Sequence, residues 1–322
     1  MAPPRPPGRP VLVCGEVRTR LLPSFQALDG RAAAQLLRLR ADEPVRVSER
    51  PNLYALSPEP LTGVDCWLPT SNGARVRAVG TVAARAALTE GRLLQSTAYC
   101  SIPASGPDMR RPWGQYLVQP GMVEPFGKLP EEAVAEGVLR GTGRGELALG
   151  MIAEALLAQL LRHPLLDRRA PFKSRRTHLR WVARRAPEGA GAALERFTLA
   201  EDGLRTMVLR LPEDLPAASA AGLCEDLALH DWLLTTVGHM LNSSRLSAAN
   251  GPSAVLALRP AVDHLLHLWM PRAHVDPSLG HLWDVLERAP GFTRQWQTYV
   301  QRIRDQLALQ AIPLLHQALS PR

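Results

Sequence analysis

The chain has almost no lysine. Of its 38 cationic residues only Lys128 and Lys173 are lysines, and the other 36 are arginines. Beside abundant alanine, proline and glycine, this skew marks GC-rich coding, so a single arginine is weak evidence for an anion site although its planar fork suits one. Cysteine is sparse too. Cys14, Cys66, Cys100 and Cys224 lie far apart, with no C-x-x-C pair and no Cys/His group at zinc spacing, which excludes a zinc finger, a dithiol motif and a dense disulfide framework. Their apolar neighbours suit buried free thiols in a reducing compartment. Long hydrophobic runs are also missing. No stretch reaches the ~18 apolar residues of a membrane span, and the N-terminus has no signal-peptide core. The expectation is a soluble, cytoplasmic chain that makes no membrane contact.

What is present is enough to fold. The 322 residues are 46% hydrophobic and 21% charged, which suits one or two domains of ~100–200 residues rather than a disordered chain. The 29 prolines and 24 glycines imply many loops. The pattern predicts an α+β fold: a β-rich N-terminal half, a small antiparallel meander, then a helical C-terminal bundle. A disordered proline-rich tail is expected over 1–10, with Pro3 and Pro6 at polyproline-motif spacing, a β-rich α+β domain over 11–140, and the meander with the bundle over 141–322. Val11 to Leu22 reads as a strand, and Asp29 as the N-cap of a helix from Arg31 to Arg40. Arg75 to Leu88 pairs with Leu93 to Ile102 across Thr89-Glu-Gly-Arg92. Residues 103–130 are rich in proline and glycine; Glu131 to Leu139 and Leu147 to Leu161 read as helices. Thr177 to Ala183, Leu194 to Leu199 and Leu204 to Leu211 alternate as strands, with Glu201-Asp-Gly203 as a turn. Beyond Ala217 three apolar stripes at helical spacing (Leu223 to Leu241, Leu258 to Trp269, Phe292 to Leu314), joined by a helix from Pro277 to Leu286, imply the bundle.

The charge is concentrated in one place. Arg162 to Arg185 holds nine basic residues and one acid, Asp167, a local charge of +8 that equals the net charge of the whole chain. On a strand, Arg176, His178, Arg180 and Arg184 share a face opposite Leu179, Trp181 and Ala183. Arg175, Arg176, Arg180, Arg184 and Arg185 are therefore the candidate contacts to an anionic partner, whether acidic protein, nucleotide or nucleic acid. No RNA- or DNA-binding signature accompanies them.

All nine histidines lie in the second half of the chain. Asp263 and His267 fall on one face of a helix, and His274 and Asp276 follow in the next loop, so these four are the candidate ligands of a metal-dependent hydrolase. H-E-x-x-H and every established zinc spacing are absent. Gly121 to Leu129 fails as a P-loop, with five residues between the glycines, Pro125 inside, and Leu129 where Mg²⁺ needs a hydroxyl. Gly141-Thr-Gly-Arg-Gly145 follows a helix rather than a strand and reads as a connector. No nucleophile elbow, S-x-x-K or Cys-His signature occurs. No catalytic residue and no cofactor is expected.

Several strings resemble an actinomycete protein family of unknown function, known by a streptomycete locus name: Gly15-Glu-Val-Arg-Thr-Arg-Leu-Leu22, Val45-Arg-Val-Ser-Glu-Arg-Pro51, Leu61-Thr-Gly-Val-Asp-Cys-Trp-Leu-Pro69, Leu223-Cys-Glu-Asp-Leu-Ala-Leu-His-Asp-Trp-Leu-Leu-Thr-Thr236 and Arg259-Pro-Ala-Val-Asp-His-Leu-Leu-His-Leu-Trp-Met-Pro271. The resemblance runs from about residue 11 to 310. Members are encoded near a variant P-loop protein, so it implies a component of a multi-protein system with its NTPase on a separate chain. The leading expectation is thus a non-enzymatic interaction subunit whose partner is the P-loop protein or a sister subunit. The alternative is a nucleic-acid-binding regulator acting through residues 162–185.

Overall fold

The structure, a computed structural model, describes residues 9–141, 143–200, 203–246 and 251–319. Residues 1–8 of the tail expected over 1–10, and part of the turn expected at Glu201 to Gly203, lie outside the described residues; Pro10, expected in the tail, instead begins the first strand. A ten-stranded sheet forms the middle of the molecule. In chain order the elements are β1 (Pro10–Leu21), α1 (Gly30–Leu36), β2 (Arg46–Ser48), β3 (Tyr54–Leu56), β4 (Leu61–Leu68), β5 (Val76–Thr89), β6 (Leu93–Pro103), α2 (Trp113–Leu117), β7 (Val123–Pro125), α3 (Glu131–Arg140) and α4 (Leu149–Leu160). They continue with β8 (Thr177–Arg185), β9 (Ala193–Leu199), β10 (Leu204–Leu211), α5 (Ala217–Leu246), α6 (Gly251–His264), α7 (Leu282–Arg288) and α8 (Phe292–Leu319).

The expected hairpin forms as read. Arg92 N–H donates to the Thr89 carbonyl at 3.0 Å, and Glu90 and Gly91 take the left-handed φ values, 50° and 58°, that suit such a turn. Asp29 caps α1, its Oδ1 accepting from the Ala32 N–H at 2.8 Å. The proline- and glycine-rich stretch nonetheless supplies one more strand, β7, which pairs with β5.

The strand order β2-β3-β5-β6-β1-β8-β10-β9 corrects the meander. β10 runs parallel to β8 and antiparallel to β9, so it sits between them. Burial explains the order. β10 has buried residues on both faces, Met207 and Leu209 on one and Val208 on the other, as an inner strand needs, whereas β9 buries no residue and takes the edge. Because β8 also pairs along β1 from Leu12↔Arg184 to Thr19↔Thr177, the sheet continues through the boundary expected near residue 141.

Both faces of the sheet are covered. Leu12, Cys14, Val182 and Val208 pack in one core with α1, α3 and α4. Val13, Val17, Leu179, Trp181, Met207 and Leu209 pack in the other with the C-terminal helices. The strand alternation read from sequence thus feeds two cores rather than a core and a solvated face. Trp181 is fully buried, and Gly15 opposite makes room for it: a Cβ there would come within 2.5 Å of the indole. No helix among the described residues is long and apolar enough to cross a membrane.

Candidate anion-binding site

The antiparallel register of β1 and β8 builds a charged ladder on the α4 side of the sheet. Glu16 lies opposite Arg180, and Arg18 opposite His178; Arg20 and Arg176 continue the alternation just past Thr19↔Thr177. These positions share a face because strand side chains alternate. α4 closes over them at Gly150, where a Cβ would collide with the Glu16 carboxylate and the Arg18 guanidinium.

Glu16 is the hub of the ladder. It accepts from Arg180 Nε at 3.1 Å and from Arg18 at 2.7 Å, and Arg180 also donates to the Arg140 carbonyl at 3.3 Å. Glu154 on α4 is held more loosely, 3.5 Å from Arg18 and 3.7 Å from Arg176. Arg20 has no acid partner among the described residues. Its Nε, like that of Arg18, is buried without a hydrogen-bond acceptor. Burial and the nearby Arg176 guanidinium lower the Arg20 pKa from its ordinary value, against a smaller opposing pull from Glu154. Arg18, Arg20, Glu154, Leu157, Arg176 and His178 are among the residues that line a cavity of about 190 Å³ at this end of the sheet.

The loop from α4 to β8 extends the positive surface around that cavity. Arg162, Arg168, Arg169, Lys173, Arg175 and Arg176 are exposed in it. Its one acid is occupied by the backbone: Asp167 accepts from the Phe25 N–H at 3.2 Å and the Arg169 N–H at 2.8 Å.

The five arginines singled out by sequence therefore divide. Arg175 and Arg176 are exposed at the basic end, and Arg176 lines the cavity. Arg180 is committed to Glu16, and Arg184 to Glu132 at 2.9 Å. Arg185 points to the opposite face and donates to the carbonyls of Pro10 and Pro212 at 3.0 and 2.7 Å. Sequence reading missed Arg18 and Arg20, because Arg-Thr-Arg in an Arg-rich chain is unremarkable until β8 is placed beside it.

The four candidate metal ligands do not converge. Helix α6 ends at His264 and Leu266–Leu268 forms a 3-10 turn, so Asp263 and His267 lose their i,i+4 relation. Asp263 pairs with Arg259 at 3.1 Å. His274 stacks on Tyr54 with ring centroids 3.9 Å apart and contacts Asn52 Oδ1 at 3.1 Å. Asp276 accepts from the Ser278 N–H at 3.0 Å and from the Ser219 hydroxyl at 3.0 Å. Among the described residues no three His, Cys, Asp or Glu side chains are placed to hold a metal ion.

His274 and Asp276 instead line a second cavity, an open cleft of about 380 Å³ between the β2–β3 hairpin and α5. At its floor Arg85 donates to both Glu225 oxygens at 2.8 and 2.9 Å, to Glu59 at 3.1 Å and to the Ala218 carbonyl at 3.1 Å. Burial opposes that charge, but the Glu225 carboxylate together with Tyr99 and Tyr54 outweighs it, and the Arg85 pKa is raised. Tyr99 closes the network, donating to Glu59 at 2.6 Å. The available signal was a lone arginine in Thr81-Val-Ala-Ala-Arg-Ala-Ala-Leu88, a charge in an otherwise apolar strand.

Comparison of the chain with protein-family models, with curated proteins and with solved structures finds no match in any of the three.

Proposed function

We propose that this protein is an interaction subunit, a binding rather than a catalytic component, which docks an acidic protein partner on the basic end formed by β1, β8 and the α4–β8 loop. The observation that carries the reading is the exposed set Arg162, Arg168, Arg169, Lys173, Arg175 and Arg176, where the one acid of the loop, Asp167, is already engaged by backbone N–H groups and Glu154 on α4 reaches only Arg176, at 3.7 Å. Most basic side chains elsewhere on the sheet are neutralised in place, so this surface is where an outside anion gains most from approach. The P-loop protein that the resemblance associates with such chains is the first partner to present. A reducing, cytoplasmic setting belongs to the same proposal and rests on four cysteines that are all free thiols.

The test is capture of the purified P-loop protein, with nuclease present, at moderate and high salt. The partner should be retained at moderate salt, weakened at high salt, and lost from a variant carrying Arg168→Glu, Arg169→Glu and Arg175→Glu. Capture that survives this reversal overturns the assigned surface. Salt-sensitive binding of nucleic acid in place of protein replaces the proposal with the regulator reading.

A further inference from the structure

We infer that the cavity between β1, β8 and α4 is a receptor for one phosphomonoester dianion, such as the terminal phosphate of a small metabolite or nucleotide. The inference rests on reading this end of the molecule as a binding surface, and it adds a ligand class and a seat within that surface.

Charge stoichiometry is the first argument. Among the described residues Arg18, Arg20, Arg176 and Arg180 are grouped with two acids, Glu16 and Glu154; Arg18, Arg20, Arg176, Glu154 and His178 line the cavity itself, with the imidazole counted as neutral. Two positive charges are left over, which matches a phosphomonoester above its second pKa of about 6. A carboxylate or a phosphodiester brings one negative charge and leaves one guanidinium uncompensated.

Unmet hydrogen bonding is the second. The Nε–H groups of Arg18 and Arg20 are buried without acceptors, so turning either guanidinium toward the cavity breaks no Nε–H bond and can relieve an unpaired donor that costs about 1–3 kcal/mol. Guanidinium forks are suited to tetrahedral oxyanions, which offer several acceptor oxygens at once. The contacts from Glu154 to Arg18 and Arg176, at 3.5 and 3.7 Å, are long enough for both to turn to a better acceptor. Shape is the third argument. About 190 Å³ closed on one side by α4 holds a phosphoryl group and the first atoms of its ester, whereas a continuous diester chain has to pass through rather than end there.

The chain as it stands can be titrated calorimetrically with phenyl phosphate at constant ionic strength, with dimethyl phosphate as the singly charged diester. One saturable site is expected. At about pH 7.5, where the phosphomonoester carries its second charge, dimethyl phosphate should not compete. Arg20→Gln should weaken binding at least ~10-fold, the loss of one charge-assisted bond. Glu154→Gln should tighten it several-fold, a gain that a misfolded variant cannot imitate. Absence of saturable binding, equal competition by dimethyl phosphate, or indifference to both variants overturns the inference. The two proposals fail separately. If Arg168→Glu with Arg169→Glu abolishes partner capture while phenyl phosphate never binds, only the receptor falls. If phenyl phosphate binds as described while that reversal leaves capture intact, only the docking surface falls.

Discussion

Two groups of arginine in this sheet meet opposite fates. Arg85 on β5 is nearly fully buried, and its guanidinium is consumed by Glu225, Glu59 and the Ala218 carbonyl. Arg18, Arg20 and Arg176, at the ends of β1 and β8, face a cavity with Glu154 between them, and Arg20 has no acid partner among the described residues. Residue type is the same in both places. What differs is the supply of carboxylates: two, Glu225 and Glu59, for the one guanidinium of Arg85, and two, Glu16 and Glu154, for the four of the β1–β8 ladder. A saturated arginine holds elements together, here β5 to the first turns of α5. An undersupplied one leaves donors that the proposed phosphate ligand would satisfy.

The largest effect is expected where the network is closed. Arg85→Met leaves the Glu225 carboxylate buried without its partner and should cost about 3–5 kcal/mol in urea unfolding, while adding Glu225→Leu should recover much of that loss. If Arg85→Met alone is neutral, the closed network is not what ties α5 to the sheet.

A second difference between the regions appears on acidification. Burial lowers the His274 pKa below its ordinary 6.5, while Asp226 pulls weakly the other way and His230 adds to the lowering. The unfolded chain therefore takes up this proton before the folded one does. The stability from a neutral His274 is present above the unfolded value and is lost as pH falls through the folded value. Thermal melts from about pH 7.5 to about pH 5.5 should show a falling Tm, and His274→Gln should flatten the slope. An unchanged slope contradicts the stacked, neutral imidazole beside Tyr54.

Smaller effects belong to the arginine ladder. Arg184→Ala removes a pair whose Glu132 side chain is 79% exposed, so the loss should stay below about 1 kcal/mol. Arg20→Gln should change stability least, or raise it slightly, because it removes a cation with no acid partner that lies beside Arg176. A loss comparable to that of Arg85→Met would erase the distinction between the two groups.

Much of the framework was legible in the chain. The β5–β6 hairpin follows from Thr89-Glu-Gly-Arg92, the α1 cap from Asp29, and the apolar stripe of α5 from Leu223 to Leu241, because each is set by residues close in sequence. What was not legible depends on which strands become neighbours. Nothing local says that β10 enters beside β8 rather than beyond β9; burial on both faces of β10 decides it. The same holds for the site. The basic segment 162–185 was plain from charge alone, but its arginines split between neutralised and open only once Glu16, Glu132 and Glu154 arrive from distant elements. Arg18 and Arg20 join the site solely through the register of β1 against β8. The histidine group failed as a metal site for a local reason: the helix carrying Asp263 stops before it can bring His267 onto the same face.

Arginine side-chain NMR during a phenyl phosphate titration tests the contrast most directly, because it reads the Nε–H of each guanidinium separately. The account predicts saturable shifts at Arg18 and Arg20, a smaller one at Arg176, and none at Arg85. Shifts that grow without saturation across all exposed arginines, or a silent Arg20, would contradict it.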